Sequence, residues 1–566
     1  MDQYSISGFL RSTVLDCSSE VASGQVAPWL WCRPCHQNSP RPPYQLTVAF
    51  QPFPASKMKS NIMAMSTAAA LFEIASAATC YPQSTACCLK LNKAPGLAGK
   101  IYFPNSTEYV ERMDSYWSIT AALDPWCVAQ PSTPEDVSTI ITTLAASNCT
   151  FGVRGGGHGS FAGSNSVNDG VTIDFGFFNS TTYNPDTKIA SIGPGGHWQT
   201  VYDTLAPYGV VVTGGRAGTV GTGGFILGGG NSFHSASHGF ACDQVANFEV
   251  VLADGSIVNA NATSNPDLWQ GLKGTGANLG LVTRFDMYAI DFPDPTKPVV
   301  WGGNLIYDLE SGPKVIDALV EFTENVHKDE NSSSIVYWAY LPQLGGMILN
   351  AAIENTLAEV APPAFDAYYA AGNITQDTTK VDLISIVANE LGSGQPAGFR
   401  NAWFTLAFDN DARIMNYAVE KFYTLNADLE KAVGADSGFN TLCMFQPITK
   451  SIVDKGIAMG GNSMGLDHYI TRGNGIMFLI TFAVNGAENE TISFPYIQAY
   501  TEDVEAYAAS LDLNWGWIFL NYAHKVQDVI SSYGEASIER LRAASTKYDP
   551  TGVFQNLRHS GFKIPF

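Results

Sequence analysis

The sequence predicts an α+β protein with two domains. Three observations lead to this: the length of 566 residues, a mixture of helical and strand patterns with tight hairpins, and a change of pattern near residue 295. Chains longer than about 250–300 residues usually divide their core between domains. Hairpins among mixed helices and strands favour an α+β fold over a regular βαβ series.

The segment before residue 295 carries the first set of elements. Thr133 is predicted to cap a helix that has Pro134 in its first turn and acidic residues 135 and 136 near its positive end. Val137, Ile140 and Leu144 continue that helix at helical spacing. Further predicted elements are strands at 126–129, 150–153, 171–175 and 210–212, a helix at 198–205, and a hairpin formed by 248–253 and 256–259 around Asp254-Gly255.

The pattern changes between about Pro295 and Pro495, where the motif glycine clusters stop. Strands are predicted at 334–338 and 476–480, and a helix at 412–425. We interpret this stretch as a second domain. After it, a helix is predicted at 535–547, ending before Asp549-Pro550.

The charge balance argues against a nucleic-acid partner. The chain has 31 basic and 52 acidic residues, a net charge of −21. A nucleic-acid-binding surface needs a basic stripe, and phosphate groups would be repelled by this chain. The acidity is typical of a solvated surface. No run of about 20 apolar residues occurs, so no membrane span is predicted.

Residues 58–79 are predicted to be a secretory signal. Lys57 and Lys59 give a basic start, residues 62–74 are mostly apolar despite Glu73, and residues 75–78 are small. Residues 1–57 then form an upstream extension, for which a disordered tail or an error in the gene model are the alternatives. Its Cys32 and Cys35 lack a second cysteine pair, so no metal site is predicted.

Glycan and cysteine patterns also favour secretion. Seven Asn-x-Ser/Thr triplets begin at Asn105, Asn148, Asn179, Asn261, Asn331, Asn373 and Asn489. The cysteines after the signal are Cys80, Cys87, Cys88, Cys127, Cys149, Cys242 and Cys443. The first five predict a local disulfide staple whose pairing is not readable. Cys242 and Cys443 lie in apolar contexts and are predicted to be buried free thiols.

The most informative feature is a pair of glycine clusters. Nine of the 17 residues from Gly214 to Gly230 are glycine. Free main-chain N–H groups in such a loop form a concavity that binds anions, and a pyrophosphate is the obvious ligand. A flexible linker is the alternative, but apolar residues 225–227 interrupt the cluster and need burial. Neither the G-x-G-x-x-G spacing nor a Gly-Lys-Ser/Thr sequence is present.

The second cluster, residues 154–160 (Arg-Gly-Gly-Gly-His-Gly-Ser), follows one predicted strand and precedes another. It resembles the FAD-binding domain of the vanillyl-alcohol oxidase/p-cresol methylhydroxylase superfamily, in its berberine-bridge-enzyme-like branch. The resemblance runs from about Asp124 to Ile290 and resumes at 521–563. Its other motifs are residues 193–196, 214–216, 218–230, 240–243, 252–255, 276–283 and 548–555.

This resemblance implies a two-domain flavoprotein. An FAD-binding domain, 80–293 with its core at 124–290, would be completed by a C-terminal segment, 501–566. An antiparallel-sheet substrate domain, 294–500, would be inserted between them. His158 would attach covalently to the 8α-methyl of the flavin. The other implied FAD-binding residues are Arg154, Gly155, Gly156, Gly157, Gly159, Ser160, Gly218, Thr219, Val220, Gly221, Gly223, Gly224, Gly228, Gly229, Val282 and Asn521.

Two positions of the resemblance bear on the type of flavoprotein. Ala217 matches the place where some relatives carry a second, cysteine link to the flavin, so a single covalent link is expected. Val220 matches a position where a small aliphatic residue admits oxygen, which favours an oxidase over a dehydrogenase, with a valine that only packs in the core as the alternative. The implied reaction passes a hydride from a small organic substrate to the flavin and then to O₂, giving H₂O₂. A dehydrogenase, an oxidative cyclase and a redox-dead binding protein are the alternatives.

The catalytic group is predicted less specifically. Tyr522 matches the family's Tyr-x-Asn-Tyr-x-Asp stretch and is the candidate catalytic residue, with a core tyrosine as the alternative. Phe519 and His524 depart from that stretch, and Ser160 replaces a frequent tyrosine. A base from Asp467, His468 or Tyr469 is a further possibility, against a simple turn. The substrate, a secondary metabolite, alcohol or carbohydrate, and the oligomeric state stay open.

Overall fold

The structure, a computed structural model, describes residues 83–392, 394 and 397–566. The predicted extension 1–57, the predicted signal 58–79, and Cys32, Cys35 and Cys80 lie outside these residues. Within the described residues, no helix is both long and apolar enough to cross a membrane.

The first sheet has four strands in the order β1-β2-β4-β3, with β2 and β3 parallel to β4 and β1 antiparallel to β2. Its strands are β1 (Ile101–Tyr102), β2 (Cys127–Ala129), β3 (Phe151–Arg154) and β4 (Val171–Asp174), with helices α1 (Gln83–Lys93), α2 (Thr107–Asp114) and α3 (Pro134–Ala146). The predicted cap of α3 is confirmed. Thr133 Oγ1 accepts from Asp136 N at 3.3 Å, and the Asp136 carboxylate accepts from Thr133 N at 3.1 Å.

Covalent and main-chain links hold this sheet to distant parts of the chain. Disulfides join Cys87 to Cys149 and Cys88 to Cys127, so α1 is fixed to the loop before β3 and to β2. The predicted staple is thereby confirmed, and Cys242 and Cys443 are buried free thiols as predicted. The C-terminal segment is also linked to this sheet, because Val153 N in β3 donates to Ser560 Oγ at 3.0 Å. The two residues are 407 positions apart in the sequence.

A second, five-stranded antiparallel sheet has the order β5-β6-β10-β8-β9, and β7 pairs separately with β11. Its hairpin β8–β9 confirms the one predicted around Asp254-Gly255. The strands are β5 (Thr181–Asn184), β6 (Ile189–Ile192), β7 (Val210–Val211), β8 (Val245–Val251), β9 (Ile257–Asn261), β10 (Leu281–Tyr288) and β11 (Ile290–Asp291). The helices are α4 (Trp198–Leu205), α5 (Thr222–Leu227), α6 (Ser235–His238) and α7 (Pro266–Leu272).

The third sheet is antiparallel and has eight strands, in the order β15-β12-β14-β13-β18-β19-β17, with β16 also paired to β12. Its strands are β12 (Val299–Tyr307), β13 (Ser332–Leu341), β14 (Gly346–Asn355), β15 (Ile374–Asp377), β16 (Lys380–Leu383), β17 (Arg400–Asp409), β18 (Asn440–Ile448) and β19 (Gly475–Val484). The helices from here on are α8 (Gly312–Asn325), α9 (Asp366–Ala370), α10 (Ile384–Gly392), α11 (Ala412–Val433), α12 (Lys450–Ala458), α13 (Leu466–Tyr469), α14 (Ala487–Ser510) and α15 (Glu535–Tyr548).

Packing distributes the apolar residues into two clusters. The smaller surrounds the first sheet and both disulfides. The larger continues from the second sheet through the glycine cluster of residues 214–230 into the eight-stranded sheet. The α+β class is confirmed, and the eight-stranded sheet is formed by residues 299–484 alone. The boundaries at 293 and 500 stay predictions.

Candidate active site

A cavity of about 560 Å³ lies between the glycine clusters and one face of the eight-stranded sheet. Its wall combines residues from several regions of the chain: 153–165, 215–231, 275–282, 390–392, strands of the eight-stranded sheet, and 519–523 with 558–562. Of the predicted site residues, those that line it are Gly155, Gly156, Gly157, His158, Gly159, Ser160, Thr219, Val220, Gly221, Gly223, Gly224, Val282, Asn521 and Tyr522. The structure thus brings the two glycine clusters together at one site.

Glycine is required where the two clusters touch. An added Cβ at Gly156 would lie 2.4 Å from Gly221 Cα, and one at Gly221 would lie 2.5 Å from Gly156 Cα. At Gly155 and Gly223, a Cβ would lie within 2.7 Å of the Pro194 carbonyl oxygen. Side chains would force these loops apart, so their main chains can form a continuous wall only with glycine.

The same wall offers unused hydrogen-bond donors. Among the described residues, none accepts from the main-chain N–H groups of Gly156, Gly157, His158 and Gly159. An added Cβ at Gly224 or Gly276, both in the wall, would meet no atom within 4 Å. Free N–H groups beside open space at glycine positions suit the diphosphate of a dinucleotide, and the residues present therefore fit FAD.

His158 is the histidine of this wall, and aromatic rings surround it. Its ring stacks on Trp117 with centroids 4.2 Å apart and planes 11° apart, and Trp403 approaches edge-on at 6.5 Å. Burial lowers the pKa of His158 to about 4, so the imidazole is neutral near pH 7. A neutral imidazole has the lone pair that a covalent bond to carbon needs.

Four predicted FAD-binding residues do not line the cavity. Arg154 is buried, with its guanidinium 3.2 Å from the Asp174 carboxylate and stacked at 3.8 Å over the ring of Tyr116. Its side chain supports the loop from below, because an added Cβ at Gly157 would lie 2.6 Å from Arg154 Nη2. The other three, Gly218, Gly228 and Gly229, lie behind the wall, where side chains of the protein fill the space a Cβ would need.

Asn521 holds the glycine cluster of residues 214–230 in shape. Its Nδ2 donates to the Gly224 carbonyl at 3.0 Å, and its Oδ1 accepts from Gly230 N at 3.0 Å. An added Cβ at Gly228 would lie 2.3 Å from Asn521 Nδ2. Both ends of the amide are therefore used on the main chain of this loop.

Tyr522 belongs to a polar cluster that the sequence analysis did not predict. Its hydroxyl accepts from Arg216 Nη2 at 3.1 Å and donates to Gln446 Oε1 at 3.3 Å. Arg216 Nη2 also donates to Gln446 Oε1, and Asn231 Nδ2 approaches the same oxygen at 3.5 Å. We call Arg216, Asn231, Gln446 and Tyr522 the polar cluster. Trp403 packs edge-on against Tyr522 at 6.1 Å.

The opposite wall is one face of the eight-stranded sheet. Five residues form a row of directly opposed positions across neighbouring strands, and all five line the cavity: Ile306, Asn350, Tyr337, Met444 and Leu479. Alternate residues on β13 and β18 add mostly apolar side chains, namely Ile335, Ala339, Leu341 and Leu442. Most of this face is apolar, and its polar groups are a few side-chain amides and hydroxyls.

The alternative catalytic residues lie elsewhere. Asp467, His468 and Tyr469 do not line the cavity, and Tyr469 donates to the Ser532 carbonyl at 2.8 Å. His524 is buried between phenylalanines and stacks on Phe404 at 4.8 Å. Burial lowers the pKa of His524 to about 4.

Comparisons with known proteins agree with this site. Residues 125–261 match the family described as FAD binding domain. The chain is 37% identical over 482 residues to the FAD-dependent monooxygenase drtC of Aspergillus calidoustus, covering 84% of this chain and 90% of that protein. It is 34% identical over 488 residues to the FAD-dependent monooxygenase sdcF of Emericella nidulans, covering 85% and 98%.

Solved structures share the fold at lower identity. They include 6-hydroxy-D-nicotine oxidase of Arthrobacter nicotinovorans (TM-score 0.66, 17% identity, 83% of this chain and 98% of that chain). BBE-like 1 of Physcomitrella patens gives a TM-score of 0.64 at 20% identity, covering 85% and 99%. Glucooligosaccharide oxidase of Acremonium strictum, described with a 6-S-cysteinyl, 8α-N1-histidyl FAD, gives 0.67 at 18%, covering 86% and 100%.

The glycine-lined cavity, the matched FAD-binding domain and the fungal relatives lead to one assignment. The chain belongs to the family of FAD-linked oxidoreductases that includes drtC and sdcF, and it shares its fold with berberine-bridge-enzyme-like proteins.

Proposed function

We propose that this chain is an FAD-dependent oxidase of a small organic substrate and that His158 carries the flavin through a single covalent bond. Bound flavin would supply the acceptor for a hydride from a substrate C–H, and O₂ would then take up both electrons and two protons to give H₂O₂. The observation that carries this proposal is the neutral imidazole of His158 in the cavity wall, beside unused main-chain N–H donors.

The chain's own residues have separable tasks in this proposal. The main chain of 155–159 and 221–224 binds the diphosphate, and Asn521 keeps the second of these segments in shape. Ala217 lines the cavity and has no sulfur, so the link through His158 is the only covalent one. Val220 also lines the cavity, and its small side chain leaves oxygen a path.

The polar cluster would orient the substrate. Tyr522 Oη is held by Arg216 and Gln446, which fixes the direction of its proton and lone pairs. A substrate hydroxyl or amine would pass its proton to Tyr522 Oη as the C–H bond breaks, while Tyr522 would release its own phenol proton to water. Positioned proton transfer of this kind contributes about 10²–10⁴-fold to a rate.

A monooxygenase is a second candidate, because relatives as similar as 37% carry that name. The two reactions differ in the fate of oxygen. A monooxygenase would place one atom of ¹⁸O₂ in the product, whereas an oxidase would release both as H₂¹⁸O₂. Mass spectrometry of the product and peroxide detection on the same sample separate the two.

We further propose that the protein is secreted. Two disulfides are typical of an oxidising compartment. Each of the seven triplet asparagines is exposed or half-exposed, so all seven could accept a glycan. Intact mass before and after glycosidase treatment of protein from culture medium tests this.

Acid precipitation tests the flavin link. We expect wild-type protein to be yellow and the colour to stay with the precipitate, whereas His158→Ala should release its flavin into the supernatant. His197→Ala is the matched control, because His197 Nε2 lies 3.3 Å from the Gly156 carbonyl on the same loop but is exposed. If His158→Ala keeps acid-stable colour, the link is misassigned. If wild-type protein is colourless and takes up no FAD on refolding, the proposal of a flavin enzyme fails and a redox-dead binding protein remains as the function.

A further inference from the structure

The charged side chains of the cavity wall differ in whether the protein supplies partners for them. Three charged side chains line the cavity among the described residues: Arg216, Glu390 and Arg558. Glu390 forms an ion pair with Lys380 at 2.5 Å. Arg558 is buried and donates to Asn278 Oδ1 at 2.6 Å and to the Phe562 carbonyl at 2.8 Å, so its donors serve the protein.

Arg216 is different. No carboxylate of a described residue lies within 4.0 Å of it, and its contacts with Gln446 and Tyr522 use Nη2 alone. Nε and Nη1 have no acceptor among the described residues. A half-buried cation without a counter-charge is costly in an apolar setting, so such groups are usually paired.

Glu354 compensates the positive charge of Arg216 only weakly. Glu354 interacts electrostatically with Arg216, but it lies outside the cavity wall. Burial raises the pKa of Glu354 well above its usual value and favours the neutral acid. The positive charge of Arg216 therefore acts mainly on the contents of the cavity.

The cavity wall that contains Arg216 is mostly apolar and holds a few polar groups, among them a buried acceptor without a donor, Asn350 Oδ1. Trp403 Nε1 is buried without an acceptor, and Tyr337 and Asn350 are the other polar side chains of the row described above. The rest of that row and its flanking residues are aliphatic or methionine. A ligand that fits this wall has an apolar body and one electron-rich oxygen group.

We propose that Arg216 binds an oxyanion of the substrate, a carboxylate or an ionised phenol or enol, on an otherwise apolar molecule. The inference rests on the proposed function, since the substrate would occupy the cavity beside the flavin. Arg216 fixes which end of the substrate enters, through a charge-assisted hydrogen bond. The hydroxyl oxygens of a simple sugar accept hydrogen bonds but carry no charge to balance Arg216, and its hydroxyl-covered surface does not match the apolar face.

Calorimetric binding to matched probes tests this assignment without turnover. trans-Cinnamate and trans-cinnamamide share one apolar body and differ in charge, and 4-cyanophenol is measured below and above the pH at which it ionises. We expect wild type to bind cinnamate at least 10-fold more tightly than the amide. Arg216→Gln should weaken cinnamate binding by about 10- to 100-fold, the range of a hydrogen bond to a charged group. Amide binding should stay within 2-fold of wild type, and Arg216→Lys should keep part of the preference.

Arg413→Gln is the control, because Arg413 is an exposed cation paired with Asp411. Selective binding of cinnamate alone identifies a carboxylate ligand, and gain of 4-cyanophenol binding on ionisation identifies a phenolate or enolate. Equal affinity of wild type for acid and amide would overturn the proposal. So would an Arg216→Gln protein with unchanged cinnamate affinity but shifted flavin absorption, because Arg216 would then serve the flavin. Calorimetry requires no flavin, and acid-stable colour is scored separately, so failure of the His158 link is distinguishable.

Discussion

The imidazole of His158 and the indole of Trp117 form a stacked pair whose planes differ by 11°. The pair is also tied through the main chain, since Trp117 N donates to the Gly157 carbonyl at 3.1 Å. Trp117 comes 41 positions before His158 in the sequence. The indole therefore fixes the ring orientation of the proposed flavin ligand from outside the glycine loop.

Replacing Trp117 should impair flavin attachment more than folding. Trp117→Leu removes the stacking surface, and aromatic pairs contribute about 0.5–1.5 kcal/mol beyond burial. We expect the fraction of acid-stable flavin to fall about 3- to 10-fold, while Trp117→Phe retains most of it. Absorbance of acid-precipitated protein measures the effect. Equal flavin content in both variants would show that stacking does not orient His158.

Two glycines of the wall should respond differently to alanine. Gly156→Ala places a Cβ 2.4 Å from Gly221 Cα and should destabilise the protein by about 1–3 kcal/mol. Gly224→Ala meets no atom within 4 Å and lies in α5, so thermal stability should be retained. Its methyl group would enter the space proposed for FAD, so the flavin-to-protein ratio should fall. Normal flavin content in Gly224→Ala would contradict this placement.

Asn521 should matter for the stability of the flavin loop. Asn521→Ala leaves Gly230 N without its partner, at about 1–3 kcal/mol if that group stays buried, whereas the Gly224 carbonyl loses one donor and still accepts from Gly228 N at 3.1 Å. Asn521→Asp keeps the acceptor for Gly230 N and should be intermediate. Urea unfolding of the three proteins measures the order. Equal stability of the Ala and Asp variants would mean that water replaces both bonds.

Acid should destabilise the fold partly through His524. Burial lowers its pKa from 6.5 to about 4, so below pH 6.5 the unfolded chain binds more protons than the folded one. The free energy of unfolding then falls as the pH drops from 6.5 to 4 and levels off below 4. His524→Phe keeps the stacking with Phe404 and should reduce this loss by about 2–3 kcal/mol. Unfolding curves at pH 7 and pH 4 test this, with the exposed His327→Gln as control.

The disulfides should contribute measurably to stability. Cys88 and Cys127 lie 39 positions apart, and removing a bond that closes a loop of this size costs about 2–4 kcal/mol. We expect reductant to lower the melting temperature of wild type, and the Cys88→Ala/Cys127→Ala protein to respond less. An unchanged wild-type melting temperature in reductant would show that the bonds do not support the fold.

Local patterns were sufficient for much of the fold. The cap at Thr133 and the hairpin at Asp254-Gly255 depend on neighbouring residues, and the structure contains both. Helix α11 was predicted at 412–425 but extends to Val433, because Leu425 and Leu429 continue the buried stripe. Helix ends are set by packing as well as by sequence signals.

The site was only partly predictable. The glycine loops can be recognised from their composition. Arg216, Gln446 and Tyr522 come from distant segments, so no sequence motif connects them. Arg154 adjoins the loop in sequence, yet its guanidinium pairs with Asp174 on the neighbouring strand. Side-chain direction at such positions follows from tertiary contacts that no local pattern encodes.

The contact between Val153 N and Ser560 Oγ has a consequence for biosynthesis. The strand leading to His158 leaves the ribosome long before Ser560 is made, and neighbouring residues 558–562 complete the cavity wall. The cavity wall around His158 therefore stays incomplete until about 400 further residues have been translated. A ligand that needs the finished wall can therefore be loaded only after the C-terminal segment has been made.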